Sequence, residues 1–441
     1  MGRDTLFENL PQQPAPEPRG HQGAPRLRVP LRNQIELRAV ELDALIGEDH
    51  PARIIWAYVE RLDLRALEEP IKARQGRPGY PPASPRLLLA LWLYATCQGV
   101  GSARALAKLC ESQDAFRWLC GGVSVNYHTL SDFRTAHPAL LDELLAQNVA
   151  ALVEAGVVDL DSLAQDGLRV RASAGAASFR RRKTLQAQLA QARAVVAQLK
   201  QEVDADPGAS NRRVRAARER AARVSAALDR LAELESERVR RGRTNKAQVA
   251  RQKPPRASTS DPQARVMKMA DGGYRPAYNL QIASAHEAQI IVAVGVDTSG
   301  SDRGLVRPML EALRRRYGRL PRRYLVDGGF GKNEDIEWAA ASDPDTQVYC
   351  PATASKHDTD PFAPRPEDGP GVAAWRERMK SEAGQALYKR RSLAECIHAR
   401  LRGWNLRQLT VRGVNKARAV LLCHALANNI LQGHRLRLAL A

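Results

Sequence analysis

Two stretches of the chain alternate like β-strands, LAQDGLRVRASA from Leu163 and YRPAYNLQIASA from Tyr274, and the residues between them follow another period. From Ser178 to Ala257 apolar side chains recur four and three apart: Leu185, Leu189, Ala192, Val196, Leu199 and Val203. After a break at DADPGASN the rhythm resumes with Val214, Ala217, Ala221, Val224, Leu228 and Leu231. Two heptad runs joined by a Pro-Gly turn predict an antiparallel coiled-coil hairpin over 178–257, with small residues thinning its seam and a basic, Pro-containing linker at its end. A sheet whose strands flank such a segment must carry it as a projection. Loop-closure entropy grows only logarithmically with length, so the excursion is tolerated.

The hairpin segment holds 21 Lys and Arg against 8 acids, most of the excess of a chain with 68 basic and 48 acidic residues. A net charge of +20 points to a polyanion, with nucleic acid ahead of an anionic membrane surface. No spanning helix is expected, because the longest apolar run, Leu87 to Ala95, is about half of the length a bilayer requires. Residues 1–30 are Pro-rich and polar, without the apolar centre of a signal peptide, and read as a flexible arm. The six cysteines, at 97, 110, 120, 350, 396 and 423, form no Cys-x-x-Cys pair and no zinc-ligand spacing with histidine. Free thiols in a reducing, cytoplasmic compartment are expected.

Residues 31–157 read as an all-helical module. PARIIWAYVERLDL has apolar residues at helical spacing, SPRLLLALWLYATCQGV starts a helix behind Pro85, and SARALAKLCES supplies another. In VNYHTLSDFRTAH a short helix carries Asp132 and Arg134, an arrangement that resembles the entry to a DNA-reading helix. His128, just ahead of it, is a further candidate DNA contact, set against a capping or surface role.

Beyond residue 258 strand patterns return. YRPAYNLQIASA and QIIVAVGVDTS predict an antiparallel hairpin. DRGLVRPMLEALRRRYG predicts a helix capped by Ser301, with Asp302 at its dipole-favoured start. RRYLVDGGF predicts a short buried strand ending at Asp327, followed by a helix at NEDIEWAAAS and a strand at TQVYC. One long helix is expected from about residue 372 to 404, with helices from 416 to 434 closing the chain. Segments 158–177 and 258–435 together predict a mixed α/β sheet with helices on its faces.

AQDGLRV at Asp166 and LVDGGFG at Asp327 each place an acid against an apolar strand, directly before glycine. Asp-Gly is a favoured turn dipeptide, but LRVRASA continues the strand pattern beyond Asp166, where a turn has no place. Carboxylates in a buried strand are costly unless paired or bound to metal. A third acid, Glu395, stands in YKRRSLAECIHARLRGW among Lys389, Arg390, Arg391, Arg400 and Arg402. On a continuous helix Tyr388, Arg391, Glu395 and Arg402 share one face. Phosphodiester chemistry uses hard oxygen ligands for two divalent ions about 4 Å apart. Two strand aspartates and one helix glutamate suit Mg²⁺, while neighbouring cations hold DNA phosphates and Tyr388 positions or stacks.

Over most of its length, from about residue 31 to 431, the chain resembles a DDE-type transposase of a bacterial insertion sequence. The resemblance rests on GYPPASPRLLLALWLYATCQGVGSARALAKLCESQDAFRWLCGG and HTLSDFR in the helical module, on AQDGLRVRASA and YLVDGGF, and on the Tyr-Arg-Glu spacing of Tyr388, Arg391 and Glu395. The family's following lysine is Arg402 here, which keeps the charge and alters the geometry of a phosphate contact. The proline that often follows the glutamate is Cys396.

The resemblance implies a ribonuclease-H-like catalytic domain behind a helical DNA-binding domain, with Asp166, Asp327 and Glu395 as catalytic metal ligands. It further implies Mg²⁺ (Mn²⁺ substituting), terminal inverted repeats and target DNA as partners, and a dimer or larger synaptic assembly. Tyr388, Arg391, Arg402, Arg134 and His128 are the expected DNA contacts. Rival readings are an inactive or domesticated DNA-binding derivative and a nucleic-acid-tethering coiled-coil protein. A tyrosine recombinase is set aside, because the His-x-x-Arg spacing and late tyrosine of that family are missing.

Overall fold

The computed structural model describes residues 39–74, 76, 81–205, 211–244, 253–352 and 360–440. The expected N-terminal arm and part of the linker after the hairpin lie outside them. The helical module comprises α1 (Pro51–Glu60), α2 (Arg65–Glu68), α3 (Pro85–Cys97), α4 (Ala103–Ser112), α5 (Asp114–Cys120), α6 (Tyr127–Ala136) and α7 (Pro138–Glu154). Ser84 starts α3, its hydroxyl accepting from the Arg86 amide at 3.2 Å, with Pro85 in the first turn where no amide is needed. Leu87 through Thr96 are all buried, as in a helix surrounded by protein on every side.

A six-stranded mixed sheet follows the helical module. It comprises β1 (Ser162–Arg171), β4 (Arg265–Lys268), β5 (Tyr274–Ala285), β6 (Ile290–Asp297), β7 (Arg323–Leu325) and β8 (Gln347–Tyr349). β5 pairs antiparallel with β1, β4 and β6, whereas β7 and β8 run parallel to β1. Its helices are α10 (Val306–Tyr317), α11 (Asn333–Ser342), α12 (Pro370–Lys380), α13 (Glu382–Lys389), α14 (Leu393–Gly403) and α15 (Val414–Leu440).

The closing helix α15 packs against β6 as well as α1, α3 and α7. Its Asn429 accepts from the Ile291 amide at 2.8 Å and donates to the Ile291 carbonyl at 2.7 Å, satisfying backbone groups on β6. One buried cluster runs from Ala52 in α1 to Ile430 in α15. The helical layer and the sheet therefore share a core.

Strands β2 (Phe179–Arg180) and β3 (Ala257–Ser258) pair antiparallel, so the chain leaves the body and returns at one place. Between them stand α8 (Arg182–Ala205) and α9 (Asn211–Thr244). Leu185 buries itself with Val224, Ala227, Leu231 and Ala257, an antiparallel match of the start of α8 to the later turns of α9. Arg182 pairs with Glu235 across the two helices. The base is tied to the sheet by Arg230, which donates to Thr298 Oγ1 at 3.1 Å, and by Arg265 with Glu237 at 3.4 Å.

Two expectations need correction. The single long helix over 372–404 is instead α12, α13, a 3-10 turn at Arg390–Ser392 and α14. Ser381 is extended (ψ 147°) and caps α13, accepting from Gly384 N at 3.1 Å. A Cβ at Gly384 would collide with the Arg378 carbonyl, so glycine is what lets α13 start so close behind α12. Ser301 does not cap α10, which starts behind Leu305; its hydroxyl accepts from Arg303 N instead. Asp302 is consequently free of the helix start and turns toward the sheet.

Candidate active site

Register places the two strand acids. Ala164 of β1 lies opposite Leu325 of β7, and Asp166 and Asp327 each stand two residues further along these parallel neighbours. Residues two apart share a face, so the carboxylates emerge side by side where β7 ends. Asp166 accepts from the Gly167 amide through Oδ1 at 2.8 Å, which leaves Oδ2 turned toward the helices. Asp327 caps a 3-10 turn at Gly328–Phe330, accepting from Gly329 N at 2.7 Å. Cys350 Sγ donates to the Asp327 carbonyl at 3.2 Å and fixes the backbone there.

Arg391, in the 3-10 turn before α14, links the acids. Its Nη1 lies 3.2 Å from Asp166 Oδ2 and its Nη2 lies 3.4 Å from Glu395 Oε1. Burial opposes its charge, yet Asp166, Tyr388 and Asp327 hold its pKa above the ordinary value. Tyr388, half-buried at the end of α13, is pushed up chiefly by burial and bonds Arg391. Burial likewise raises the Asp327 carboxyl pKa; the Gly329 amide opposes this and the negative charge of Asp166 adds to it. Glu395 is the most open of the three acids, with 64% of its side chain exposed.

The break before α14 thus corrects the expectation of one helical face for Tyr388, Arg391, Glu395 and Arg402. The structure nevertheless brings the first three together, by folding the chain over the sheet. Arg402 is exposed at the end of α14, close enough for its charge to act on His398. Arg134 and His128 are placed elsewhere, on α6. His128 is exposed and its ring lies 4.0 Å from that of Tyr127. Arg134 is 9% exposed and donates to the Gly101 carbonyl and to Thr410 Oγ1.

Two further groups stand here that the sequence did not assign to the site. His398, buried one turn beyond Glu395, points Nδ1 at Asp166 Oδ2 across 3.7 Å. Asp302 Oδ1 accepts from Asn279 Nδ2 at 2.6 Å and from Gln281 Nε2 at 2.8 Å. Gln281 Oε1 accepts from Gln165, whose own Oε1 accepts from Tyr324. This polar chain runs through the sheet beneath Asp166. It also explains Gly167, since a Cβ there would lie 2.5 Å from Asp302 Oδ1 and 2.9 Å from Gln281 Nε2. The signal was in β5: Asn279 and Gln281, two apart in an apolar strand, share one face with no water to satisfy them.

Hard oxygens from three carboxylates, two of them side by side on adjacent strands, suit a divalent cation. As placed, the Arg391 guanidinium supplies the positive charge between Asp166 and Glu395. Among the described residues no three acidic, His or Cys side chains already converge on one metal position. No described helix is long and apolar enough to cross a membrane.

Residues 40–136 match the family described as Transposase domain (DUF772), and residues 243–430 match the family described as Transposase DDE domain. Asp327 and Glu395 fall within the second match, whereas Asp166 lies between the two matched segments. No curated protein and no solved structure matches the chain.

Proposed function

Because the chain belongs to the DDE-type transposases, we propose that it binds the terminal inverted repeats of an insertion sequence, cleaves strands at the ends and joins the freed 3′ hydroxyls to target DNA. The observation that carries this reading is the placement of Asp166 and Asp327 on adjacent parallel strands, with Glu395 joined to Asp166 through Arg391. Four strands joined by antiparallel pairings, β1, β4, β5 and β6, and two more, β7 and β8, parallel to β1, with helices on the faces, support a ribonuclease-H-like catalytic domain. The buried seam between α8 and α9 supports a coiled-coil hairpin inserted in that domain.

Asp166, Asp327 and Glu395 would hold the divalent cations, Mg²⁺ by preference for oxygen donors, with Mn²⁺ substituting. When bound, such ions offset phosphate charge and activate first water and then the 3′ hydroxyl. The protein's own groups do the positioning. Asp327 is oriented by Gly329 N, and Arg391 leaves its carboxylate partners to take a phosphate oxygen, with Tyr388 steering the guanidinium. Arg402 adds a second phosphate contact along α14. Joining two ends calls for a dimer or larger assembly, acting on the nucleoid in the cytoplasm.

Asp166→Asn, Asp327→Asn and Glu395→Gln test the reading directly. Each is expected to reduce cleavage of end DNA in Mg²⁺ to background while binding persists, because phosphate contacts supply most of the affinity. A variant that cleaves near the wild-type rate removes its residue from the site.

A further inference from the structure

We propose that the cleft between α4, α6 and the start of α15 binds the phosphodiester backbone of duplex DNA, with Arg134, Arg412 and Lys416 as its cations; this rests on the transposase reading above. The cleft has a volume of about 410 Å³ and lies apart from Asp166, Asp327 and Glu395. Beside its three cations stand the hydroxyls of Ser102, Ser131 and Thr410, and no described carboxylate lines it. Hydroxyls and cations without acids are the composition that contacts phosphate oxygens.

Arg134 is the buried member. Its guanidinium sits 4.5 Å from the centre of the Trp92 ring and donates to Gly101 O at 2.5 Å and to Thr410 Oγ1 at 3.0 Å. Both of these acceptors are neutral. Burial lowers its pKa, as it does for a cation without a carboxylate opposite. A buried charge is costly unless an anion meets it, and a phosphate oxygen entering the cleft would do so. Arg412 and Lys416 are exposed at the rim, and among the described residues neither makes an ion pair; Arg412 donates only to the Ser173 carbonyl at 3.3 Å.

A polymer fits better than a single phosphate. Arg412 and Lys416 also line a second cleft of about 740 Å³, which opens against Arg223 and Arg230 of α9. The acids there are Asp229, Glu233 and Asp261. Glu233 is paired with Arg230, and Asp261 accepts from Tyr278 Oη and Gly413 N. Successive phosphates could therefore occupy both clefts with the two shared cations between them.

The test uses the full chain and a fluorescent DNA duplex of arbitrary sequence, titrated over a range of salt concentrations. Arg412→Gln combined with Lys416→Gln should flatten the slope of log K against log salt by about 1.8, two lost phosphate contacts at about 0.9 each. The control pair Arg314→Gln and Arg315→Gln, exposed on α10, should leave the slope near that of the wild type. Inorganic phosphate should displace the duplex no better than chloride at matched ionic strength. An unchanged slope in the Arg412/Lys416 variant, an equal change in the control pair, or specific displacement by inorganic phosphate would overturn the proposal. Wild-type chain without salt-dependent DNA binding would instead bring down the transposase reading, and the cleft with it.

Discussion

Asp166–Gly167 and Asp327–Gly328 are the same dipeptide used for different physical reasons. At Asp327 the familiar use holds: the carboxylate caps a 3-10 turn, and the nearest atom to a Cβ on Gly328 would be Pro351 Cγ at an unstrained 3.5 Å. At Asp166 the chain does not turn. Gly167 continues β1 opposite Gln281, and its missing side chain is the space that Asp302 and its amide partners occupy. One glycine serves a turn capped by its own aspartate; the other makes room for a polar network drawn from β5 and from the loop before α10.

The largest expected effect that separates the two is on stability. Gly167→Ala should destabilise the fold by about 1–3 kcal/mol, the usual cost of forcing atoms into a filled site, and should disturb Asp166 as well. Urea unfolding monitored by circular dichroism measures it, and a cost no greater than at an exposed position would break the comparison. The second effect is a coupling. Asp302→Ala leaves Asn279 and Gln281 without their acceptor and destabilises by itself, yet it vacates the space that the new methyl needs. The double variant with Gly167→Ala should lose less than the sum of the single variants, by about 1 kcal/mol in a double-mutant cycle. Strict additivity would mean that Asp302 does not account for Gly167.

Smaller is the expected effect of Asp327→Asn on the metal-free protein. The amide oxygen can keep the cap, so the change removes charge alone. With the folded-state pKa of Asp327 raised, the ionised form is destabilising at neutral pH and the penalty disappears once the carboxyl is protonated. The variant should therefore melt slightly higher than the wild type at neutral pH. That margin should close as the pH falls through the carboxyl's folded-state pKa; a margin that widens in acid would contradict the sign. The smallest effect belongs to Gly328→Ala, expected to lie within about 0.5 kcal/mol of the wild type because the nearest atoms, on Pro351, lie at ordinary contact distance. A loss as large as that of Gly167→Ala would make the two dipeptides alike after all.

What the amino-acid order determined by itself was whatever depends on near neighbours along the chain. Strand alternation located β1, β5 and β6, helical spacing located α1, α3 and α4, and the Tyr-Arg-Glu spacing marked the segment that bears the third acid. Each is a local signal a few residues long, readable without its tertiary partners. Tertiary structure decided the rest. The spacing alone suggested one continuous helix over 372–404, whereas the capping of Ser381 and the collision avoided at Gly384 divide it. Arg391 reaches Asp166, 225 residues away in sequence, only because the chain before α14 folds over the middle of β1. Asp302 looked like a helix-start acid until α10 proved to begin at Val306, leaving its carboxylate to the amides of β5. Sequence periodicity can say which face of an element is buried, but the partner of a polar atom is set by strand register and by where the loops let the elements cross.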